Sequence, residues 1–317
     1  MAVEMITDRV GYIKSFEGVE LGHLELFTNV GLIMSDSGVI LIDTGWGEKQ
    51  GRAILDETDR LGKKVAAIIN THAHLDHAGA NKYIAERADC PIYCTLYESL
   101  FLRGTENMFH VVFSEMVLPL KSGLEDFGSL EKTEPFIVEA DSTVVIDGVK
   151  LELVALPGHS DGHIGVICDS VFFTGDALLD PESMRRNKVM YITSPEAMGR
   201  SVRRIMATDF KRYVPAHGPA FENARLAGEY YFKMIDRLEN SMKAAAHTPV
   251  HLDDLLTNVA RDVHLHLENL AYYSTARIMV HSMANHFVLS GVFEYMFKDN
   301  TLYYKLKEGG AIEEPKA

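Results

Sequence analysis

Thiols are scarce: Cys90, Cys94 and Cys168 are the only cysteines in 317 residues. An odd and scattered count is no disulfide framework, and it fits core-packing thiols in a reducing cytoplasm. Cys90 and Cys94 lie four apart across Pro91, but no second pair exists to complete a thiolate metal site. Basic charge is also short. Lys and Arg number 31 against 45 Asp and Glu, a formal net charge of −14, so the broad cationic face of a general nucleic-acid binder is missing. A local basic cleft remains open. No apolar run approaches the roughly 18 residues of a membrane-spanning helix. Met1 to Asp8 carries two acids and no apolar stretch, which reads as neither a signal peptide nor an anchor. The expectation is a cytoplasmic protein away from membranes. Core-forming residues are plentiful: 47% of the chain is hydrophobic, enough for one large domain or one domain with a smaller companion.

The first part of the chain reads as strands. Val30, Leu32 and Met34, then Val39-Ile40-Leu41-Ile42, are separated by Asp36-Ser37-Gly38, a hairpin signal. A helix over about 48–61 follows Asp43-Thr44-Gly45, and Val65–Ile69 is a buried strand that ends at Asn70-Thr71-His72. Strand, helix, strand implies a parallel pair with a crossover, and such sheets place their sites beyond strand ends. A helix over about 76–88 and a short strand at 91–94 come next. Apolar residues are irregularly spaced from 96 to about 139, as in an inserted helical excursion that is either a flap or ordinary core. Strands resume at 142–146, 149–156, 164–168 and 171–173, joined by Asp147-Gly148 and Asp169-Ser170 turns. A helix over 195–207 and a short strand at 213–215 complete this part. Beyond Phe221 the chain turns mostly helical. Leu226, Tyr230, Met234, Leu238 and Met242 form an amphipathic stripe. Helices over 252–259 and 270–289 and a hairpin around Asp299-Asn300 give the outline of a winged helix. Residues 250–310 hold five Lys/Arg against seven Asp/Glu, the wrong balance for gripping DNA.

The chemistry concentrates in seven residues. His72, His74, Asp76 and His77 come in one burst, and His159, Asp176 and His217 follow far downstream. Imidazole and carboxylate without thiolate suit zinc, iron or manganese, and seven ligands exceed what one tetrahedral ion takes. The spacing His-x-His-x-Asp needs a loop, and neighbours such as Asp76 and His77 cannot point the same way on a regular element. Two adjacent ions resolve this: His72, His74 and His159 serve one, while Asp76, His77 and His217 serve the other. Asp176, with two oxygens, is the candidate bridge. Two divalent ions against two carboxylates leave a positive centre that generates hydroxide at neutral pH and stabilises an oxyanion. Asp76 is also the candidate proton shuttle. Hydrolysis without a serine or cysteine nucleophile is the expected reaction.

This ordered set, from about Asn29 to His217, resembles the metallo-β-lactamase-fold superfamily and, more narrowly, the glyoxalase II-like hydrolases. The resemblance implies an α/β fold, an αββα sandwich with a metal pair at one edge. It implies a catalytic domain over 1–221 with the inserted flap at about 96–139, and a winged-helix-like C-terminal module over 222–317. Asp43 matches a recurrent family aspartate and is expected to orient a ligand imidazole. His163 is expected to support the ligands rather than coordinate. The implied cofactors are two divalent ions, zinc first, with iron or manganese as alternatives.

Substrate has to be argued from departures. Glyoxalase II enzymes hold glutathione carboxylates with basic residues of the helical tail, and no such cluster aligns here. Related lactonases place a tyrosine three residues after the bridging aspartate, where this chain has Leu179. Tyr191 is the nearest replacement, from a different place. A ribonuclease-like branch carries a winged-helix-like tail, which raises a nuclease reading that the acidity lowers. Arg185, Arg186 and Lys188, in an expected loop after Asp176, are candidate contacts for a substrate anion. The leading expectation is a dinuclear hydrolase of a small thioester or ester, resembling hydroxyacylglutathione hydrolase. The alternatives are a phosphodiesterase or ribonuclease, a lactonase, and last a non-catalytic effector that binds a small signal. A small molecule is the expected partner, nucleic acid is disfavoured, and the apolar C-terminal helices are compatible with a homodimer.

Overall fold

The continuous apolar runs of the first half become the middle of a sheet. A computed structural model of the chain describes residues 2–14, 19–21, 24–104, 132–268 and 270–309. In it β5 (Val30–Met34), β6 (Val39–Ile42), β7 (Val65–Ile69) and β8 (Ile92–Cys94) lie side by side, with every residue of β6 buried. β5 and β6 form the expected antiparallel hairpin, and β6, β7 and β8 run parallel. Helix α1 (Gly47–Arg60) makes the crossover from β6 to β7. Two strands that sequence reading passed over, β1 (Ala2–Met5) and β2 (Val10–Lys14), extend the sheet beyond β5, and β9 (Phe136–Ile137) closes the other side. A separate hairpin pairs β3 (Val19–Leu21) with β4 (Leu24–Leu26).

The second sheet is the expected meander of β10 (Ser142–Ile146), β11 (Val149–Ala155), β12 (Ile164–Cys168) and β13 (Val171–Gly175), to which β14 (Arg212–Pro215) adds in parallel. The sheets face each other across one buried cluster, with Ile33, Ile40 and Ile69 from the first and Leu151, Val166 and Phe173 from the second. Helices cover both outer faces. On one side Ile54 of α1 and Ile84 of α3 (Asn81–Ala88) pack on Leu32, Leu41 and Ile68. On the other, Met198, Val202 and Ile205 of α6 (Pro195–Met206) join Leu156 and Phe172 in a second cluster. This is the αββα layering.

The expected helix over 76–88 is broken into α2 (Leu75–Ala78) and α3. Gly79 lies in the break: a side chain there would meet the Leu75 carbonyl oxygen at 2.5 Å and the Gly47 nitrogen at 2.6 Å, so backbone packs directly on backbone. Of the expected flap, residues 96–104 contain α4 (Leu96–Leu102), while 105–131 lie outside the described residues. The segment expected to be a loop around Arg185 is a short helix, α5 (Pro181–Arg186), in which Asp180 accepts hydrogen bonds from the Glu182 and Ser183 amides.

The C-terminal part holds α7 (Ala224–Ala245), α8 (Leu252–Asp262) and α9 (Leu270–Leu289). The stripe of α7 is rotated slightly from expectation: Tyr231 is buried and Tyr230 only half so, alongside Met234, Leu238 and Met242. β16 (Phe293–Lys298) and β17 (Thr301–Leu306) form the closing hairpin, and β15 (Val250–His251) joins β17 to complete a three-stranded sheet. Tyr231, Leu238, Leu255, Met279 and Phe287 share one buried cluster with Leu156, Phe172, Met184 and Met198. No helix among the described residues is long and apolar enough to cross a membrane.

Candidate metal centre

All seven residues singled out by spacing arrive at one end of the two facing sheets. β7 ends at Ile69 and releases the extended run Asn70 to His74. His74 then begins α2, whose single turn carries Asp76 and His77. His159 lies between β11 and β12, Asp176 directly follows β13, and His217 follows β14. Gly158 makes the approach of His159 possible. Its φ is +128°, and a side chain there would meet the Met198 backbone nitrogen of α6 at 2.3 Å.

The side chains fall into two groups with a shared middle. Ring nitrogens of His72, His74 and His159 lie within 4.8 Å of one another, and so do the ligand atoms of Asp76, His77 and His217. Asp176 faces both groups. Its Oδ2 is 3.3 Å from His159 Nε2, and its Oδ1 is 3.4 Å from His217 Nε2 and 3.6 Å from His77 Nε2. Asp76 Oδ2 is 3.2 Å from His217 Nε2 and 3.5 Å from His77 Nε2. His74 Nδ1 and His159 Nε2 are 3.0 Å apart.

Partners outside the cluster fix where the imidazole protons sit. His159 Nδ1 donates to the Tyr191 carbonyl at 2.9 Å and His217 Nδ1 to the Phe27 carbonyl at 2.8 Å. His77 Nδ1 donates to Asp43 Oδ2 at 2.8 Å. Thr71 Oγ1 donates to the same Asp43 oxygen at 2.7 Å, which leaves it to accept from His72 Nδ1 at 3.1 Å. Each of these Nδ1 protons therefore points outward and Nε2 is the ring atom turned inward, the arrangement that supporting residues impose on metal-binding imidazoles. Asp43 is itself buried and left-handed, with φ of 63°, and also accepts from the Thr71 amide at 2.8 Å. His163 stays outside both groups. Burial keeps it well below the ordinary histidine range, and its Nε2 accepts from the Asp176 amide at 3.0 Å.

These donor atoms fit divalent cations. His72 Nε2, His77 Nε2 and Asp176 Oδ1 are buried with no hydrogen-bond partner among the described residues. Such atoms are costly to bury unless something positive meets them. The electrostatics agree. Burial works to lower His217, yet Asp176 and Asp76 overcome it and lift the imidazole to about 10. His77 is raised against burial in the same way by Asp76, Asp176 and Asp43. Burial raises Asp76, but His77 and His217 outweigh it and bring the carboxyl to about 2. At the other end, burial and then His159 push His74 down to about 3. The pocket thus keeps the imidazole of His74 neutral at one end, while the carboxylates draw positive charge to themselves at the other.

Two more side chains border the centre, and of these only Tyr191 is singled out by the sequence. Glu98 of α4 is 1% exposed; its Oε2 accepts from the Ala73 amide at 2.8 Å and its Oε1 from the Ser160 hydroxyl. It ties the His72–His74 loop to the His159 loop, and burial raises its carboxyl to about 7 despite those bonds. Tyr191 lays its ring 5.0 Å from His74 and 5.1 Å from His159. The basic cluster lies elsewhere. Arg185 and Arg186 pair with Glu182, and Lys188 donates to the His264 carbonyl. Arg185 and Lys188 line a cleft with Tyr230, Lys233 and Arg237, and none of the seven clustered side chains borders it.

Fold and centre together define a candidate metal-binding site on an αββα sandwich. The sequence matches the model of the Metallo-beta-lactamase superfamily over residues 24–217, and the chain belongs to that superfamily. Among curated proteins it is similar to a probable metallo-hydrolase of Methanocaldococcus jannaschii, 30% identical over 141 residues, which are 44% of this chain and 62% of that protein. It is also similar to a hydroxyacylglutathione hydrolase of Trichodesmium erythraeum, 30% identical over 122 residues, 38% of this chain and 37% of that one. The matches therefore span less than two thirds of either relative. The crystal structure of a beta-lactamase domain protein from Burkholderia ambifaria superposes with a TM-score of 0.79 at 18% identity, covering 96% of this chain and 94% of that one. A metallo-beta-lactamase family protein from Thermus thermophilus gives 0.76 at 18% identity, covering 96% and 100%. At that identity the likeness shows the fold, and the coverage takes in the C-terminal helical part.

Proposed function

We propose that this chain is a metal-dependent hydrolase of a small ester or thioester. One observation carries the reading: two ligand groups share Asp176, whose two oxygens face both. Two divalent cations bound there would lower the pKa of water and offset the negative charge that develops on a carbonyl oxygen. His72, His74 and His159 would hold one, and Asp76, His77 and His217 the other. Asp43, Thr71 and the Tyr191 and Phe27 carbonyls hold the Nδ1 atoms outward, so that Nε2 is the atom each imidazole would offer a cation. Asp76 is slightly exposed and belongs to the ligand cluster. Its carboxylate takes the proton as the water oxygen bonds to the acyl carbon. It returns that proton to the sulfur or oxygen that leaves when the acyl bond breaks. The name of one relative, metallo-hydrolase, supports hydrolysis, and that of the other, hydroxyacylglutathione hydrolase, supports the acyl reading.

The order of α7, β15, α8, α9 and the β16–β17 hairpin favours a second reading, a phosphodiesterase acting on nucleic acid. The wing strand β16 carries one acid, one base and exposed aromatics, a poor surface for phosphates. A paired rate assay decides between them, using protein of defined metal content, an S-acyl thioester and an activated phosphodiester, with Asp76→Asn as the blank. Thioester turnover that the variant loses is the expected result. Phosphodiester turnover alone would overturn the acyl reading.

A further inference from the structure

The C-terminal sheet ends in an open edge. Its order is β15-β17-β16, so among the described residues β16 has a strand on one side only. Unpaired edges invite another strand unless they are very short, interrupted by proline or crowded with lysine. β16 runs Phe293-Glu294-Tyr295-Met296-Phe297-Lys298, with no proline and one lysine. All its residues after Phe293 are exposed, Tyr295 at 59% and Phe297 at 72%. The rings of Tyr295 and Phe297 lie 6.2 Å apart and form one apolar stripe.

The tight turn decides which backbone groups are free. Asp299 and Asn300 both have positive φ and connect Lys298 directly to Thr301 across the ladder. The pair that flanks a two-residue turn exchanges both its hydrogen bonds. Alternation then turns the backbone groups of Glu294, Met296 and Lys298 toward β17, and those of Phe293, Tyr295 and Phe297 toward the open edge. A second antiparallel copy of the strand must therefore pair its odd-numbered residues with odd-numbered ones. One such register is self-complementary. Centred on Met296, it sets Tyr295 opposite the partner's Phe297 and Glu294 opposite the partner's Lys298, each pair occurring twice about the two-fold axis. Centring on Tyr295 puts Glu294 opposite Met296, and centring on Phe297 puts Lys298 opposite Met296, so neither matches charge with charge. Lys298 has no acidic partner among the described residues, and Glu294 has only a half-exposed Lys305 at 3.6 Å. One acid and one base at mirrored positions fit a copy of the same strand.

We propose that β16 is a dimerisation strand, through which two copies of this chain join edge to edge, antiparallel about Met296. The interface is small, so dimerisation depends on concentration. Sedimentation velocity of the full chain across a concentration series tests it. The wild type is expected to pass from monomer to dimer. Lys298→Glu sets like charges opposite each other twice and weakens the dimer by about tenfold or more, and Glu294→Lys does the same. The double exchange, Glu294→Lys with Lys298→Glu, restores both pairs with their signs swapped and returns dimerisation to within about threefold of wild type. A wild type that stays monomeric throughout overturns the proposal and leaves the edge to another partner. A dimer that neither single reversal weakens, or that the double exchange does not restore, overturns it as well. None of these readouts depends on hydrolysis.

Discussion

Replacing Asp43 with asparagine should disturb both halves of the metal centre at once. The substitution keeps the shape of the side chain, and asparagine tolerates the left-handed backbone at φ of 63°, so the backbone is not the variable. In the wild type three donors converge on this carboxylate: the Thr71 amide at 2.8 Å, the Thr71 hydroxyl at 2.7 Å and His77 Nδ1 at 2.8 Å. An amide has one acceptor oxygen. With that oxygen kept on the Thr71 amide, the new NH2 group faces His77 Nδ1 and Thr71 Oγ1. His77 must then carry its proton on Nε2, the atom turned toward Asp76 and Asp176. Thr71 Oγ1 accepts from the new amide and donates to His72 Nδ1, 3.1 Å away, which sends the His72 proton to Nε2 as well. Each imidazole then presents a proton where a cation would sit. A hydrogen bond to a buried charged group contributes about 1.5–3 kcal/mol, and loss of such a supporting group costs about 10- to 100-fold in metal affinity. Asp43→Asn is expected to weaken zinc binding by that factor at both positions, read by chelator competition for each equivalent. Thermal melting of the metal-free protein separates this from a loss of fold. A variant that binds both equivalents as tightly as wild type refutes the proton placement.

Glu98→Gln tests the tie between the ligand loops. Burial raises the Glu98 carboxyl from 4.5 to about 7, so in that window the folded protein holds a proton that the unfolded chain has released. Stability of the metal-free protein should therefore fall as pH rises from 4.5 toward 7 and stay reduced above it. Urea midpoints across this range should show a shallower decline in the variant, and an identical slope would count against Glu98 as the titrating group. Gly158→Ala drives a methyl group into the Met198 backbone and forces alanine to a φ of +128°. It is expected to cost about 3 kcal/mol or more in urea denaturation and to lower metal stoichiometry, because His159 moves with the loop; a wild-type midpoint would show that the loop yields.

The clustering of the seven residues was legible because much of it is local: four fall within His72–His77, and the other three sit just past short apolar runs that read as strands. The central strands were legible for the same reason, since β6 is apolar at every position and buried at every position. What escaped depended on contacts between distant segments. The break between α2 and α3 falls where Gly79 packs on Gly47, two residues that give no periodic signal. Glu98 reads as a solvent-facing acid on a short helix, and its burial becomes visible only when the Ala73 and Ser160 loops close over it. α5 is too short for periodicity, although Asp180-Pro181-Glu182 is an N-terminal capping sequence that could have revealed it. β1 and β2 are short, and they are specified mainly by pairing with β5 and with each other.

The buried cluster that joins the second sheet to the C-terminal helices limits how this chain can be engineered. A gene cut after Phe221 would encode every residue of the metal centre, yet it would strip the cover from Met184, Met190 and Met198, which pack in that cluster with Leu238, Leu255 and Met279. The Met190 amide would also lose its contact with the Met279 sulfur, 3.3 Å away. Met190 immediately precedes Tyr191, whose carbonyl orients His159. A shortened enzyme would thus present a sticky apolar wall to the solvent and loosen the backbone that aims one of its ligands. Grafting this centre onto another scaffold means carrying the distant helices along with it.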